Sequence, residues 1–292
     1  MSEDIERARR AISRLDFFAS ARPSEIAISR LGGLTNLVFR VDCNGGSYVL
    51  RIPGKGTEEY IDRKVEAVAA RAAAEAEVAP EVIHCDDASG VMLTAYVAGA
   101  VTMTPALFKS TPGGSLRAGL AFQRLHQSGA SFVFRFELFK MIDGYLRVLS
   151  GKSVTFPDGY HAVLKEAESV RAALNARPLP LAPCHCDPLC ENFLDTGSRM
   201  WIVDWEYSGM NDPMWDLGDL AVEAGFDEGQ EDEMILAYFN GEPSAAERGR
   251  IVIYKAMCDL LWTLWGLIQH ANRNPVDAFW AYSVNRFDRC RK

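Results

Sequence analysis

His185-Cys186-Asp187-Pro188-Leu189-Cys190-Glu191-Asn192, followed by Ile202-Val203-Asp204-Trp205-Glu206, is the stretch on which the reading of this chain turns. Between the two segments lie an apolar arm, Phe193-Leu194, the turn formers Asp195-Thr196-Gly197-Ser198, and a second arm from Met200 to Val203, which together read as a β-hairpin. Asn192 and Asp204 stand symmetrically about its turn. Pairing the arms therefore sets an amide oxygen beside a carboxylate at the open end, and two hard oxygen donors suit Mg²⁺ bridging phosphates. Asp187, five residues before Asn192, falls on the same loop, where it can accept a hydroxyl proton. In-line phosphoryl transfer asks for little beyond positioning, metal charge and a base for the nucleophile.

Single Asp and Asn residues in loops are often only turn formers. The combination His-x-Asp-x₄-Asn with an apolar-flanked Asp twelve residues on is much rarer by chance and implies a kinase. A zinc reading competes on the same stretch through Cys184, His185, Cys186 and Cys190. Zinc sites usually pair two Cys-x₂₋₄-Cys units, and no second unit exists here.

At 292 residues and 48% hydrophobic, the chain can bury a large core or two lobes. The start, Met1-Ser2-Glu3-Asp4-Ile5-Glu6, lacks an apolar h-region, so neither signal nor transit peptide is expected. The most apolar run, Leu260 to Ile268, is shorter than the roughly 20 residues a bilayer span needs, so no membrane insertion is expected. Seven cysteines without framework spacing fit a reducing compartment, and the expected location is cytoplasmic. A net charge of −8 argues against a nucleic-acid partner and suits a small cationic substrate.

From the N-terminus, a helix is expected over roughly 5–18. A three-stranded meander follows, with apolar residues alternating around Asn44-Gly45-Gly46. Gly32-Gly33, between its first two strands, permits close approach of backbone N–H groups to phosphate. Arg51 lies on the third strand, facing away from Leu50 and Ile52. Thr57 with Glu58-Glu59 reads as the start of a helix whose apolar face is Ile61, Val65, Val68, Ala69 and Ala72, with Glu66 beside it. A strand over 90–97 ends at Ala98-Gly99-Ala100, suited to a hinge. The remainder reads as mainly helical, with helices expected over 116–126, from Asp212-Pro213 to a stop at Gly225, over 245–271 and over 277–290.

Four stretches carry a resemblance to the choline/ethanolamine kinase family, within the wider group that includes aminoglycoside phosphotransferases. They are 32–36, 48–54 with 61–63, 185–192, and 204–217, the last containing Asp204-Trp205-Glu206-Tyr207-Ser208-Gly209-Met210-Asn211-Asp212-Pro213. The resemblance implies an α+β, two-lobed protein kinase-like fold: a small β-rich nucleotide-binding lobe, 1–97, and a larger, mainly helical catalytic lobe, 98–292. It implies ATP and Mg²⁺ as cofactors. Gly32, Gly33, Thr35 and Asn36 would meet the nucleotide, Arg51 and Glu66 would pair to orient phosphates, and the Tyr96 and Val97 backbone would contact adenine. Asp187 would be the base, Asn192 and Asp204 the metal ligands with Glu206 close by, and Asp216 the anchor of the catalytic loop.

A quaternary ammonium cannot donate ordinary hydrogen bonds, so it must be caged by aromatic faces and a nearby carboxylate. Trp262 and Trp265, three residues apart on the long helix, share a face. Tyr282 stands on the next helix, and Glu223 ends the one after the metal motif. By resemblance these residues would form the acceptor pocket of a choline or ethanolamine kinase; without it, the tryptophans are core packing. Thiamine or an aminoglycoside are alternative acceptors, and a catalytically idle binding module is the alternative outside enzymes.

Overall fold

Alternating apolar and polar residues between Ala27 and Ile52 fold as the antiparallel strands β1 (Ala27–Gly32), β2 (Leu37–Cys43) and β3 (Gly46–Ile52). The turn between β2 and β3 places Asn44 at φ 52° and Gly45 at φ 77°, the left-handed pair that a two-residue hairpin requires. The computed structural model describes residues 3–32, 36–54, 61–274 and 278–291. Its first helix, α1 (Glu3–Ile12), packs Ala8 and Ile12 into the core of this sheet. The helix is shorter than expected: it gives way after Ile12 to a 3₁₀ turn over Asp16–Phe18. Ser13 Oγ donates back to the Arg10 carbonyl at 3.0 Å, a side-chain bond that competes with helix continuation.

Helix α2 (Arg63–Glu75) also starts later than expected. Asp62 caps it, accepting from the amides of Lys64 at 3.0 Å and Val65 at 3.3 Å, while Thr57 to Glu59 lie outside the described residues. Its buried face is Arg63, Glu66, Ala67, Ala69, Ala70 and Ala73 rather than the valine-led one, and Val68 is exposed. Small alanines allow close approach, and the two charged residues turn inward because they pair with each other.

Strands β4 (Val82–Cys85) and β5 (Met92–Ala95) complete a five-stranded antiparallel sheet of order β1-β2-β3-β5-β4. A link through Gly99, at φ 72°, leads to β6 (Val101–Thr102), which belongs to the second lobe. There follow α3 (Pro105–Ser110), α4 (Gly114–His126), α5 (Leu138–Ser150), α6 (Tyr160–Ala176) and β7 (Ala182–Cys184). Strands β8 (Phe193–Asp195) and β9 (Met200–Ile202) are the expected hairpin, and β6 adds to β8. After β10 (Gly209–Asn211), which pairs with β7, come α7 (Met214–Ala224), α8 (Glu228–Phe239), α9 (Ala245–Ala271) and α10 (Phe279–Cys290).

The result is a two-lobed, kinase-like α+β fold, with a small antiparallel sheet followed by a mainly helical lobe. Two hydrophobic cores underlie it, one beneath the sheet around Phe39, Leu50 and Leu93, the other spreading from α4 to α10 and reaching the alanine face of α2. Helix α9 is long and apolar enough to cross a membrane by length and composition, yet 67% of its most apolar window is buried within the protein. It packs against α5, α7 and α10 as a core helix.

Candidate active site

The loop from β7 to β8 is anchored from beneath by Asp216, one turn into α7 and fully buried. Its carboxylate accepts from the backbone amides of His185 at 2.7 Å and Cys186 at 2.8 Å, and His126 Nε2 lies 3.0 Å away. Trp215 Nε1 adds a bond to the Cys186 carbonyl at 3.1 Å. These contacts hold Cys186 at φ 69°, a left-handed conformation uncommon outside glycine. The residue after it, Asp187, lies within electrostatic reach of Glu223, Asp204 and Glu206. His185 Nε2 donates to the Val203 carbonyl at 3.0 Å, tying this loop to the end of the hairpin.

Across the hairpin, the Val203 amide donates to the Asn192 carbonyl at 2.9 Å, so Asn192 and Asp204 emerge beside each other at its open end. Asn192 Nδ2 donates to the Asp187 carbonyl at 3.1 Å, tying the loop to the start of the hairpin. Asp204, also left-handed at φ 69°, approaches Glu66 and Glu206 with oxygens within 4.8 Å of one another. Such strain at a cluster of acids is typical of functional loops.

Two arginines neutralise this cluster from the sheet lobe. Arg51 forms an ion pair with Glu66 and lies 2.9 Å from Asp204 Oδ1. Arg63 Nη1 lies 2.9 Å from Glu66 Oε2 and 3.7 Å from Glu206 Oε2. Asn36 Nδ2 reaches Glu206 Oε2 at 3.4 Å. Burial first, and then the Asp204 charge, push the Glu206 carboxyl up to about 7. A hard cation among these oxygens would offset that repulsion, so the donor set fits Mg²⁺.

Gly32 lies exposed at the end of β1, where an added Cβ would meet open space. Gly33 and Thr35 lie outside the described residues. The Tyr96 amide is spent on the Ser47 carbonyl at 3.1 Å, and its ring lies beneath the Arg40 guanidinium at 4.6 Å.

Starting from Tyr207, the residue after Glu206, aromatic side chains form a chain. Tyr207 meets Trp262 at 6.1 Å between ring centroids, Trp262 meets Trp265 at 6.2 Å, and Trp265 meets Tyr282 at 6.0 Å, all edge to face. Trp262 is 6% exposed and belongs to the core, whereas Trp265 and Tyr282 are half-buried. Glu223, on the last turn of α7, faces this group and is paired with Arg286 of α10 at 2.6 Å. Asp187 is half-buried between the two acidic clusters. Burial, then the charges of Glu223, Asp204 and Glu206, raise its carboxyl to about 8, with Arg286 opposing them.

Cys184, His185, Cys186 and Cys190 are buried but do not converge as ligands among the described residues. Burial also holds the thiols of Cys184 and Cys186 well above their usual range. Cys184 stands with His126 and Asp216 and not with the other three, so the zinc set read from the sequence is not assembled.

A family model for the phosphotransferase enzyme family matches residues 27–251. The chain belongs to that family. Protein LicA of Haemophilus influenzae is 30% identical over 277 residues, covering 90% of this chain and 78% of the relative. Among solved structures, a choline/ethanolamine kinase family protein from Mesorhizobium loti is 62% identical, with a TM-score of 0.91 over 99% of this chain and 94% of that one. The choline kinase LicA from Streptococcus pneumoniae is 25% identical, with a TM-score of 0.78 over 97% of both. The chain is thus an ATP-dependent phosphotransferase of the choline/ethanolamine kinase-like kind.

Sequence reasoning gave no role to Arg63, Asp219, Asp259 or Arg286. All four are buried charged residues on helices, and a charge at a buried helical position was the available signal.

Proposed function

We propose that this phosphotransferase moves the γ-phosphoryl group of ATP to the hydroxyl of choline, and less readily of ethanolamine, in the cytoplasm with Mg²⁺. The observation that carries the acceptor assignment is the aromatic chain from Tyr207 to Tyr282, with Glu223 and Asp187 both within electrostatic reach of Tyr282. An aminoglycoside would ask for several free acids in place of rings. Similarity to the choline/ethanolamine kinase family protein and to the choline kinase supports the same reading.

In this reading, residues 1–97 hold the nucleotide and residues 98–292 carry the catalytic and acceptor groups. The Tyr96 carbonyl and Val97 amide face the adenine edge, and Gly32 with its neighbours covers the phosphates. Arg51, held by Glu66, offers its guanidinium to phosphate oxygens. Asn192 Oδ1 and Asp204, with Glu206 beside them, would hold Mg²⁺, which supplies positive charge to the transferring phosphoryl group. Asp187 accepts the proton of the acceptor hydroxyl, and its raised basicity suits that task. Trp265 and Tyr282 present ring faces to the acceptor's cation and so orient its hydroxyl towards Asp187.

The test is ADP release with ATP and a panel of choline, ethanolamine, thiamine and an aminoglycoside. Turnover with choline at least tenfold above every other acceptor is expected; turnover confined to thiamine or the aminoglycoside would refute the assignment, and none with any acceptor would favour an idle module.

A further inference from the structure

Around the proposed acceptor pocket, the acids outnumber the cations, yet almost every acid is already engaged. Asp259, 1% exposed, pairs with Arg286 at 3.1 Å and with Arg289. Asp187 is reserved for the acceptor hydroxyl. Asp219, one turn before Glu223 on α7, is fully buried beside Glu223 and Cys258. Burial and the neighbouring Glu223 hold it well above the usual carboxylate range, and thus neutral and sealed from a substrate. That leaves Glu223, whose Oε1 lies 2.6 Å from Arg286 Nη2.

Arg286 is itself 6% exposed, and its guanidinium also lies over the Tyr282 ring at 4.9 Å from the centroid. It is thus a resident cation that takes both kinds of recognition element the pocket offers: a carboxylate oxygen and an aromatic face. The half-buried rings of Trp265 and Tyr282 remain. Those serve a weakly hydrated cation without N–H donors. A primary ammonium gives up strong hydration on entry and recovers it only against free oxygen acceptors.

We propose that Arg286 is a specificity-determining residue of the acceptor pocket: by holding Glu223 and covering one face of Tyr282, it selects a quaternary over a primary ammonium. This rests on the amino-alcohol reading above and deepens it. The residue acts through Glu223 and need not touch the acceptor.

The test measures kcat/KM for choline and ethanolamine in wild type, Arg286→Gln, Arg286→Lys, Glu223→Gln and the double variant Arg286→Gln with Glu223→Gln. Arg286→Gln should shift the ratio towards ethanolamine by about tenfold or more, a loss of one charge-assisted competitor. Arg286→Lys should restore most of the choline preference. With Glu223→Gln in place, Arg286→Gln should shift the ratio by less than about threefold. A ratio within about twofold of wild type in folded Arg286→Gln overturns the proposal and leaves Arg286 as a helix tie.

Arg286 also pairs with the buried Asp259, so a binding measurement covers the case in which its substitution unfolds the chain. Tetramethylammonium and methylammonium are titrated into wild type and Glu223→Gln. Wild type should bind tetramethylammonium at least about tenfold more tightly than methylammonium, and Glu223→Gln, which leaves Arg286 unpaired, should weaken both; methylammonium bound as tightly as tetramethylammonium by wild type overturns the proposal. Wild type that turns over no amino alcohol would instead refute the function itself, so the two failures are separable.

Discussion

Arg51 Nη1 lies 2.9 Å from Asp204 Oδ1, so the cation of strand β3 and the acid that closes the β8–β9 hairpin are paired across the two lobes. The same guanidinium is held from behind by Glu66, itself 1% exposed. Nucleotide and Mg²⁺ would compete for both members of this pair, because phosphate oxygens want the arginine and the cation wants the carboxylate. Arg51→Lys is expected to raise the KM for ATP at least tenfold while the KM for the acceptor stays within about threefold, since an ammonium cannot bridge two carboxylates and a phosphate as a fork does. Initial rates with each substrate varied in turn decide it; an unchanged KM for ATP would place Arg51 outside the nucleotide site.

Asp204→Asn should weaken nucleotide binding in a manner that excess Mg²⁺ partly restores. An amide offers one neutral oxygen where the carboxylate offered charge to the cluster with Glu66 and Glu206. Nucleotide binding followed over a magnesium titration is the measurement, and a curve that overlays wild type would show that Asp204 is not a ligand.

Asp187 yields a prediction with a sign in pH. Its carboxyl, raised to about 8 by burial and by Glu223 and other acids, must be ionised to take the hydroxyl proton. The acceptor kcat/KM should therefore rise with pH and level off above about 8, and Glu223→Gln should move that limb to lower pH by removing the largest charge contribution. Asp187→Asn should cut kcat by a factor of about 10² or more, with nucleotide affinity near wild type. Folding takes up a proton at this group, so wild type should lose stability relative to Asp187→Asn as pH rises from about 4 to about 8. A flat kcat/KM profile across that window, or more than a third of wild-type turnover in Asp187→Asn, would remove it as the base.

The fold was readable where local periodicity and punctuation agree. The hairpin about Gly197, the stop of α7 at Gly225 (φ 60°) and the full extent of α9 all carry such signals. The start of α2 was not, because alanine favours helix without marking a face, and the buried face is set by Arg63 and Glu66 pairing at 2.9 Å. Asn192 and Asp204 could be brought together from sequence because only a hairpin separates them. The ties of Arg286 to Glu223, or of Asp216 to His126, join helices far apart in the chain. No local pattern encodes them; they exist only once the helices have packed.

The tryptophans separate a cage from a core, and their unequal burial sharpens the test. Trp262, 6% exposed and wedged edge-on between Tyr207 and Trp265, should cost about 3–5 kcal/mol of stability on truncation to alanine, so Trp262→Phe is the informative variant there. Trp265 is half-buried, and Trp265→Ala should stay folded while raising the KM for choline about tenfold and that for ATP less than about twofold. Ethanolamine should lose less, by about 1 kcal/mol for one cation–π face, because its N–H groups lean on oxygen acceptors more than on rings. Kinetics with both acceptors and thermal melts on the same preparations read the two roles apart. Equal losses for choline, ethanolamine and ATP, together with a lowered Tm, would mean that Trp265 only packs α9 against α10, and the aromatic support for a quaternary ammonium acceptor would go with it.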